Sequence, residues 1–170
     1  MRIKISFIII VLLTSLSLQS KNKPSETEPD KSICAQIGLN RADVIRFAKK
    51  LLGTPYHFAS SNPKKGFDCS GFVNYVYKNF KISLPRSSVA FGALGTGLKP
   101  EDFKVGDVLV FYGFKNKTRI GHVGIICEAA GMNSKFIHSS SGKAQGVTIS
   151  ELGSDMYTRR FYKCIDVINN

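Results

Sequence analysis

The sequence predicts an α+β fold, with helices first and an antiparallel sheet after them. Three observations carry this. Between residues 40 and 80 apolar side chains recur at helical spacing. After Pro100 they gather into five short runs rich in Val, Ile, Phe and Tyr, separated by turn residues. Helical periods followed by a series of hairpin-spaced strands is the α+β order. The chain has 170 residues, 43% of them hydrophobic, which is enough for one domain with its own core.

Residues 1–20 stand apart from that domain. Met1-Arg-Ile-Lys is a short basic start, Ile5 to Leu13 is apolar except for Ser6, and Thr14 to Ser20 offers small residues for cleavage. This is the three-part pattern of a secretory signal peptide. The apolar run is too short for a membrane span, which needs about 20 residues, so stable membrane insertion is not expected. No cysteine follows the small residues directly, so no lipid anchor is expected either. The mature chain is expected in the periplasm or outside the cell. Residues 21–38 are polar, with two prolines and several charges, and read as a flexible linker. Residues 39–170 are the expected folded domain.

Asn40 is placed to cap a first helix whose apolar positions are Ala42, Val44, Ile45, Ala48, Leu51 and Leu52. Asp43, three residues on, suggests a variant of the capping box, and Gly53 with Pro55 stops the helix. Residues 53–67 read as a loop rich in Gly, Ser, Asn and Pro. A second helix is expected from Cys69 to Phe80, with Phe72, Val73, Val76, Tyr77 and Phe80 on one face. The strands are expected over Val105 to Tyr112, Ile120 to Cys127, Lys135 to His138, Gly146 to Ile149 and Arg160 to Val167.

Removing 1–20 takes Arg2 and Lys4 from the 24 basic residues, leaving 22 against 12 acidic ones, a balance of +10. Such a charge implies acidic partners. For an exported chain an anionic cell-wall polymer or membrane surface fits. Nucleic acid does not, since no arginine-aromatic motif of a nucleic-acid binder is present. The four cysteines are Cys34, Cys69, Cys127 and Cys164. If Cys69 is catalytic it stays free, and at most one disulfide forms among the others. Cys127 and Cys164 lie in strand-like runs and read as buried thiols. There is no CxxC pair, and three scattered histidines show no zinc-like spacing, so no metal or organic cofactor is expected.

Cys69 opens the second helix within Phe67-Asp-Cys-Ser-Gly. Unpaired amides at a helix N-terminus favour a thiolate, the reactive form of the side chain, and can hold an oxyanion. Position alone leaves a second reading, a small buried residue in the first turn. A nucleophile also needs a base. His122, in Ile120-Gly-His-Val-Gly-Ile, has neighbours small enough to let another group approach. His138, one strand later, is placed to orient it. His57, beside Tyr56 in the loop, is a rival for the base.

Six segments in order, Gly53-Thr-Pro-Tyr, Gly66-Phe-Asp-Cys-Ser-Gly, Leu84-Pro-Arg-Ser-Ser, Gly106-Asp-Val-Leu-Val-Phe, Gly121-His-Val-Gly-Ile and Ile137-His-Ser, resemble the NlpC family of cell-wall cysteine peptidases. The resemblance runs from about residue 41 to 165. It implies a papain-like fold, Cys69 as nucleophile, His122 as general base and His138 as the third member. It further implies that Tyr56 lines the oxyanion site and that Asp68 and Ser70 grip the amino end of a peptide substrate. The implied activity is hydrolysis of peptidoglycan stem peptides, at the bond between D-glutamate, through its γ-carboxyl, and meso-diaminopimelate, by a monomer. Two rival functions share the implied fold. One is an amidase, acyltransferase or antibacterial toxin. The other is a degenerate domain that binds wall without cutting it.

The sequence departs from the family at Tyr56-His-Phe-Ala-Ser, where Ala59 and Ser60 stand in place of two glycines. A Cβ at these positions is expected to narrow the loop. The 21–40 segment is also shorter than the separate wall-binding domain that many members carry.

Overall fold

The computed structural model describes residues 39–169; the expected leader, the linker and Cys34 lie outside the described residues. Helix α1 is Arg41–Lys49, begun by Asn40, whose side chain accepts from the Ala42 amide at 2.9 Å. That satisfies one of the amides a helix start leaves unpaired. Asp43 does not complete a capping box; its carboxylate pairs with Arg46. Val44, Ile45 and Ala48 form the buried face. The helix ends at Lys49, before Leu51 and Leu52, and a turn carries the chain to Gly53 at φ +80°. Glycine suits that left-handed conformation, and its amide bonds the Val147 carbonyl at 2.9 Å.

The segment 53–67, expected as a loop, holds a small hairpin: β1 (Ser61–Asn62) pairs antiparallel with β2 (Gly66–Phe67). Two-residue strands carry no readable period, which is why the pattern missed them. Helix α2 is Cys69–Lys78, with Phe72, Val73, Val76 and Tyr77 fully buried. It stops short of the expected Phe80, and Lys81 turns the chain at φ +61°. Short 3₁₀ segments follow at Ser88–Ala93 and Pro100–Asp102.

All five expected strands form: β3 (Val108–Tyr112), β4 (Ile120–Glu128), β5 (Lys135–Ser140), β6 (Gly146–Glu151) and β7 (Phe161–Ile165). They make one antiparallel sheet in the order β6-β5-β4-β3-β7. β7 returns to the β3 edge after a short helix, α3 (Asp155–Thr158). β3 begins later than expected because Gly106, at φ +89°, and Asp107 form a turn that anchors its start.

Alternation along the strands builds two cores. Val108, Val110, Val123, Ile125 and Ile137 pack with α1 and α2 on one face. Leu109, Phe111, Ile126 and Phe136 pack with Leu152 and Tyr157 on the other. Cys127 belongs to the first core and Cys164 to the second, and both are free buried thiols, as the strand pattern predicts. Among the described residues, no helix is long and apolar enough to cross a membrane.

Candidate active site

The Asp-Cys-Ser-Gly stretch is a helix start built residue by residue. Asp68 caps α2, accepting from the Gly71 amide at 2.6 Å. Gly71 is required on steric grounds. A Cβ there would lie 2.1 Å from the Ser60 carbonyl oxygen, which is itself held by the Asp68 amide at 3.0 Å. Cys69 stands between them, partly open to a cleft of about 460 Å³ that Tyr56, Ala59, Asp68, Ser70 and Arg86 also line. The expected lowering of its pKa is not what the structure gives. Burial pushes the thiol up and the Asp68 charge adds to this. The amides of Val123, Ser70 and Cys69 itself favour the thiolate without overcoming either.

His122 comes from β4, paired opposite Phe111 of β3. The thiol of Cys69 lies against the amide of Val123, one residue further along the same strand. The imidazole Nε2 of His122 is 2.9 Å from Nδ1 of His138, with the two rings perpendicular at a centroid distance of 4.8 Å. His138 is fully buried on β5, and its Nε2 is 2.9 Å from Ser150 Oγ and 3.4 Å from the Tyr157 hydroxyl. Beyond His138, the Ser139 hydroxyl donates to the Phe67 carbonyl at 2.6 Å. That bond fastens β5 to the segment just before Cys69.

For His122 to serve as a base toward the thiol, this chain of contacts must adopt one tautomer. With Nε2 of His122 facing His138, Nδ1 is the nitrogen left to take a proton. Nε2 then carries hydrogen and donates to His138 Nδ1, and His138 donates in turn from its Nε2 to Ser150. Burial, His138 and Arg160 hold His122 well below its ordinary pKa. Burial and Arg160 push His138 down to about 4. Both rings are thus neutral in the folded state at pH 7, and the unfolded chain binds more protons as acid is added. Stability from this pair is fully present above the unfolded value of about 6.5 and is lost as pH falls toward 4. We expect His138 alone to withdraw about 3 kcal/mol across that interval. Urea denaturation at a series of pH values, with and without His138→Gln, measures it.

Tyr56 lies beside Cys69, and burial, with the Cys69 and Asp68 charges, raises its phenol pKa. Its amide is held by the Gln145 carbonyl at 2.9 Å. Asp68 and Ser70 are also at the cleft but are tied to Arg86. The guanidinium reaches Asp68 Oδ1 at 2.9 Å and Oδ2 at 2.6 Å, and Ser70 Oγ at 3.3 Å. His57 is exposed, its Nδ1 3.0 Å from the Phe58 carbonyl oxygen. Cys69, Tyr56, Asp68 and Ser70 thus line one cleft, His122 lines a second cavity that shares Gly121 with it, His138 is buried against His122, and His57 lines neither cavity.

Ala59 sits at φ +56°, a left-handed conformation in which a Cβ is strained. Ser60 does not share that strain. Its hydroxyl accepts from the Asn62 amide at 3.2 Å. Ala59→Gly is expected to raise stability by about 0.5–1 kcal/mol, the relief of strain exceeding the entropy glycine adds to the unfolded chain. Chemical denaturation checks this, and an unchanged or lower midpoint would contradict it.

Sequence reasoning missed Arg86, Ser150, Tyr157 and Arg160. Arg86 lay within Leu84-Pro-Arg-Ser-Ser, where nothing local names Asp68 as its partner. Ser150 meets His138 only through the β5–β6 register, in which His138 pairs with Thr148.

The NlpC/P60 family model matches residues 53–166. The gamma-DL-glutamyl hydrolase of Bacillus subtilis (strain 168) is 41% identical over 128 residues, covering 75% of this chain and 29% of that protein. Murein DD-endopeptidase MepH of Escherichia coli (strain K12) is 34% identical, over 65% of this chain and 40% of that protein. The chain thus spans well under half the length of both. The probable endopeptidase NlpC of Escherichia coli (strain K12) is 30% identical over 91% of this chain and 95% of that protein. Among solved structures, an NlpC/P60 family protein from Bacillus cereus superposes with a TM-score of 0.67 and 28% identity, over 76% of this chain and 40% of that one. The helices packed on an antiparallel sheet are the papain-like fold of such domains. By the family match over 53–166 and the near full-length similarity to the Escherichia coli protein, the chain belongs to the NlpC/P60 family.

Proposed function

We propose that this chain is a cysteine endopeptidase that hydrolyses peptidoglycan stem peptides between D-glutamate, through its γ-carboxyl, and meso-diaminopimelate. The observation that carries the reading is Cys69 at the mouth of α2, its thiol against the Val123 amide, with His122, the residue before Val123, bonded through Nε2 to a second histidine. Relatives named as glutamyl hydrolase and endopeptidase support it.

In this reading His122 Nδ1 takes the thiol proton as sulfur attacks the amide carbon. Neither charge is favoured alone in so buried a site, so thiolate and imidazolium form together, each as the other's counter-ion. The oxyanion forms near the Cys69 amide and Tyr56. The carbon–nitrogen bond breaks, His122 gives its proton to the departing amine, and a thioester remains. Water, deprotonated by His122, attacks the thioester, releasing the carboxylate product and restoring the thiol. Asp68 and Ser70 stand on the acyl side, where they meet the amino end of the peptide. The bond to Arg86 already neutralises much of the Asp68 charge and weakens that grip. The same proposal places the enzyme outside the cytoplasm as a monomer on an anionic wall polymer. Its supports are the 1–20 pattern and the excess of basic residues.

The test is mass spectrometry of purified muropeptides after digestion. Fragments separated between glutamate and diaminopimelate are expected. Cuts confined to another bond, or none at all, would refute the assignment.

A further inference from the structure

A second cavity, of about 610 Å³, is lined by His122 and shares Gly121 with the cleft at Cys69. Its wall includes Arg160, Lys115, Ser140, Ser141 and the ring of Tyr157, and holds two cations and no carboxylate among the described lining. Arg160 is the notable member. It is half-buried just before β7, and its Nε donates to the Tyr112 carbonyl at 2.9 Å. Its guanidinium carbon lies 5.7 Å from the Phe114 ring centroid and 5.9 Å from that of Tyr157. Among the described residues it has no carboxylate partner, although the other partly buried arginines do, Arg41 with Asp107 and Asp166 and Arg86 with Asp68. A guanidinium fixed in place and lacking a counter-ion is a donor fork prepared for an anion.

The chemistry says which part of a substrate reaches it. His122 returns its proton to the departing amine, so the residue carrying that amine must lie on the His122 side of the bond. The acyl side is occupied by the Cys69 cleft with Asp68, Ser70 and Arg86. We propose that the cavity bounded by His122, Arg160, Lys115 and Ser141 receives the leaving-side diamino acid of the stem peptide and selects one whose side chain ends in a carboxylate, bound by Arg160. A side chain ending only in an ammonium, as in lysine-type stems, meets two cations there and is disfavoured. This rests on the proposed peptidase reading for the identity of the substrate. The charge of Arg160 also lies close enough to depress His122, so a bound carboxylate restores some basicity to the imidazole at the moment it is needed.

Two stem peptides serve as probes, differing only in whether the side-chain end of the diaminopimelate is a carboxylate or a carboxamide. Turnover is measured with the wild-type protein, Arg160→Lys and Arg160→Met, and binding of both peptides is measured with Cys69→Ala alone and combined with Arg160→Met. The wild type is expected to prefer the carboxylate peptide about ten- to a hundredfold in kcat/KM, the range for a charge-assisted pair. That ratio should fall toward one in Arg160→Met and stay intermediate in Arg160→Lys. The same preference should appear in binding to Cys69→Ala and vanish in the double variant. Equal kcat/KM for the two peptides in the wild type overturns the proposal without recourse to any variant, while leaving the peptidase reading standing. An Arg160-dependent binding preference with neither peptide cut upholds the anion site and removes the peptidase reading. Neither turnover nor binding overturns both.

Discussion

Cys69→Ala is expected to abolish hydrolysis of stem peptides, by at least about 10⁴-fold, while leaving the protein folded. The loss is large because no other described side chain can form the thioester. Cys127 and Cys164 are buried in the two cores and line neither cavity of the site. The fold should survive because the cap of α2 does not use the thiol. Asp68 still accepts from Gly71, and Arg86 still holds Asp68. Alanine is also the best helix former for a first-turn position. Kinetics on purified peptide, beside a thermal melt of the same sample, separates the two claims. Turnover persisting in Cys69→Ala would remove the thiol from the chemistry and reopen the site to another nucleophile.

The order of elements was legible in the sequence because most of the strong periods belong to elements with one buried face. Val44, Ile45 and Ala48 mark α1, and Phe72, Val73, Val76 and Tyr77 mark α2. The five strands alternate between two cores, which sharpens their signal. What the sequence hid was set by contacts distant along the chain. The hairpin at Ser61–Asn62 and Gly66–Phe67 is too short for any period. Ser150 and Arg160 join the histidine side of the site through sheet register and through the return of β7 to β3.

The electrostatic expectation at Cys69 failed for a related reason. A helix start predicts amides aimed at the thiol, and they are there. The strength of burial depends on packing from elsewhere in the chain, and the Asp68 carboxylate is held beside the thiol by the Gly71 amide and by Arg86, distant in sequence. At Ala59 the sequence showed only that a Cβ replaced a family glycine; its left-handed backbone explains why glycine suits the position.

The largest stability effect is expected at Asp107, which is fully buried yet charged. Its Oδ1 accepts from Arg41 at 2.7 Å and its Oδ2 from the Lys104 amide at 2.8 Å. Arg41 also bonds the Val105 carbonyl at 3.1 Å and Asp166 at 2.5 Å. One cluster therefore joins the first turn of α1 to the start of β3 and to the chain leaving β7. β3 in turn carries Phe111, which lies opposite His122, so the cluster sits under the frame of the active site. Burial pushes the Asp107 carboxyl up, and the Lys104 amide and Arg41 only partly counter it. The pair is thus strongly coupled rather than strongly favourable in itself. Asp107→Ala leaves Arg41 with Asp166 as its one carboxylate partner among the described residues and strips the Lys104 amide of its acceptor. The expected loss is about 3–4 kcal/mol by urea denaturation. Asp107→Asn keeps an acceptor for that amide and should lose less. The double variant Arg41→Met, Asp107→Ala should lose less than the two single changes added together, because the Arg41–Asp107 pair is then removed as a unit and neither partner is left without the other. Strict additivity, or an Asp107→Ala loss below about 1 kcal/mol, would show that the cluster does not hold these three segments together.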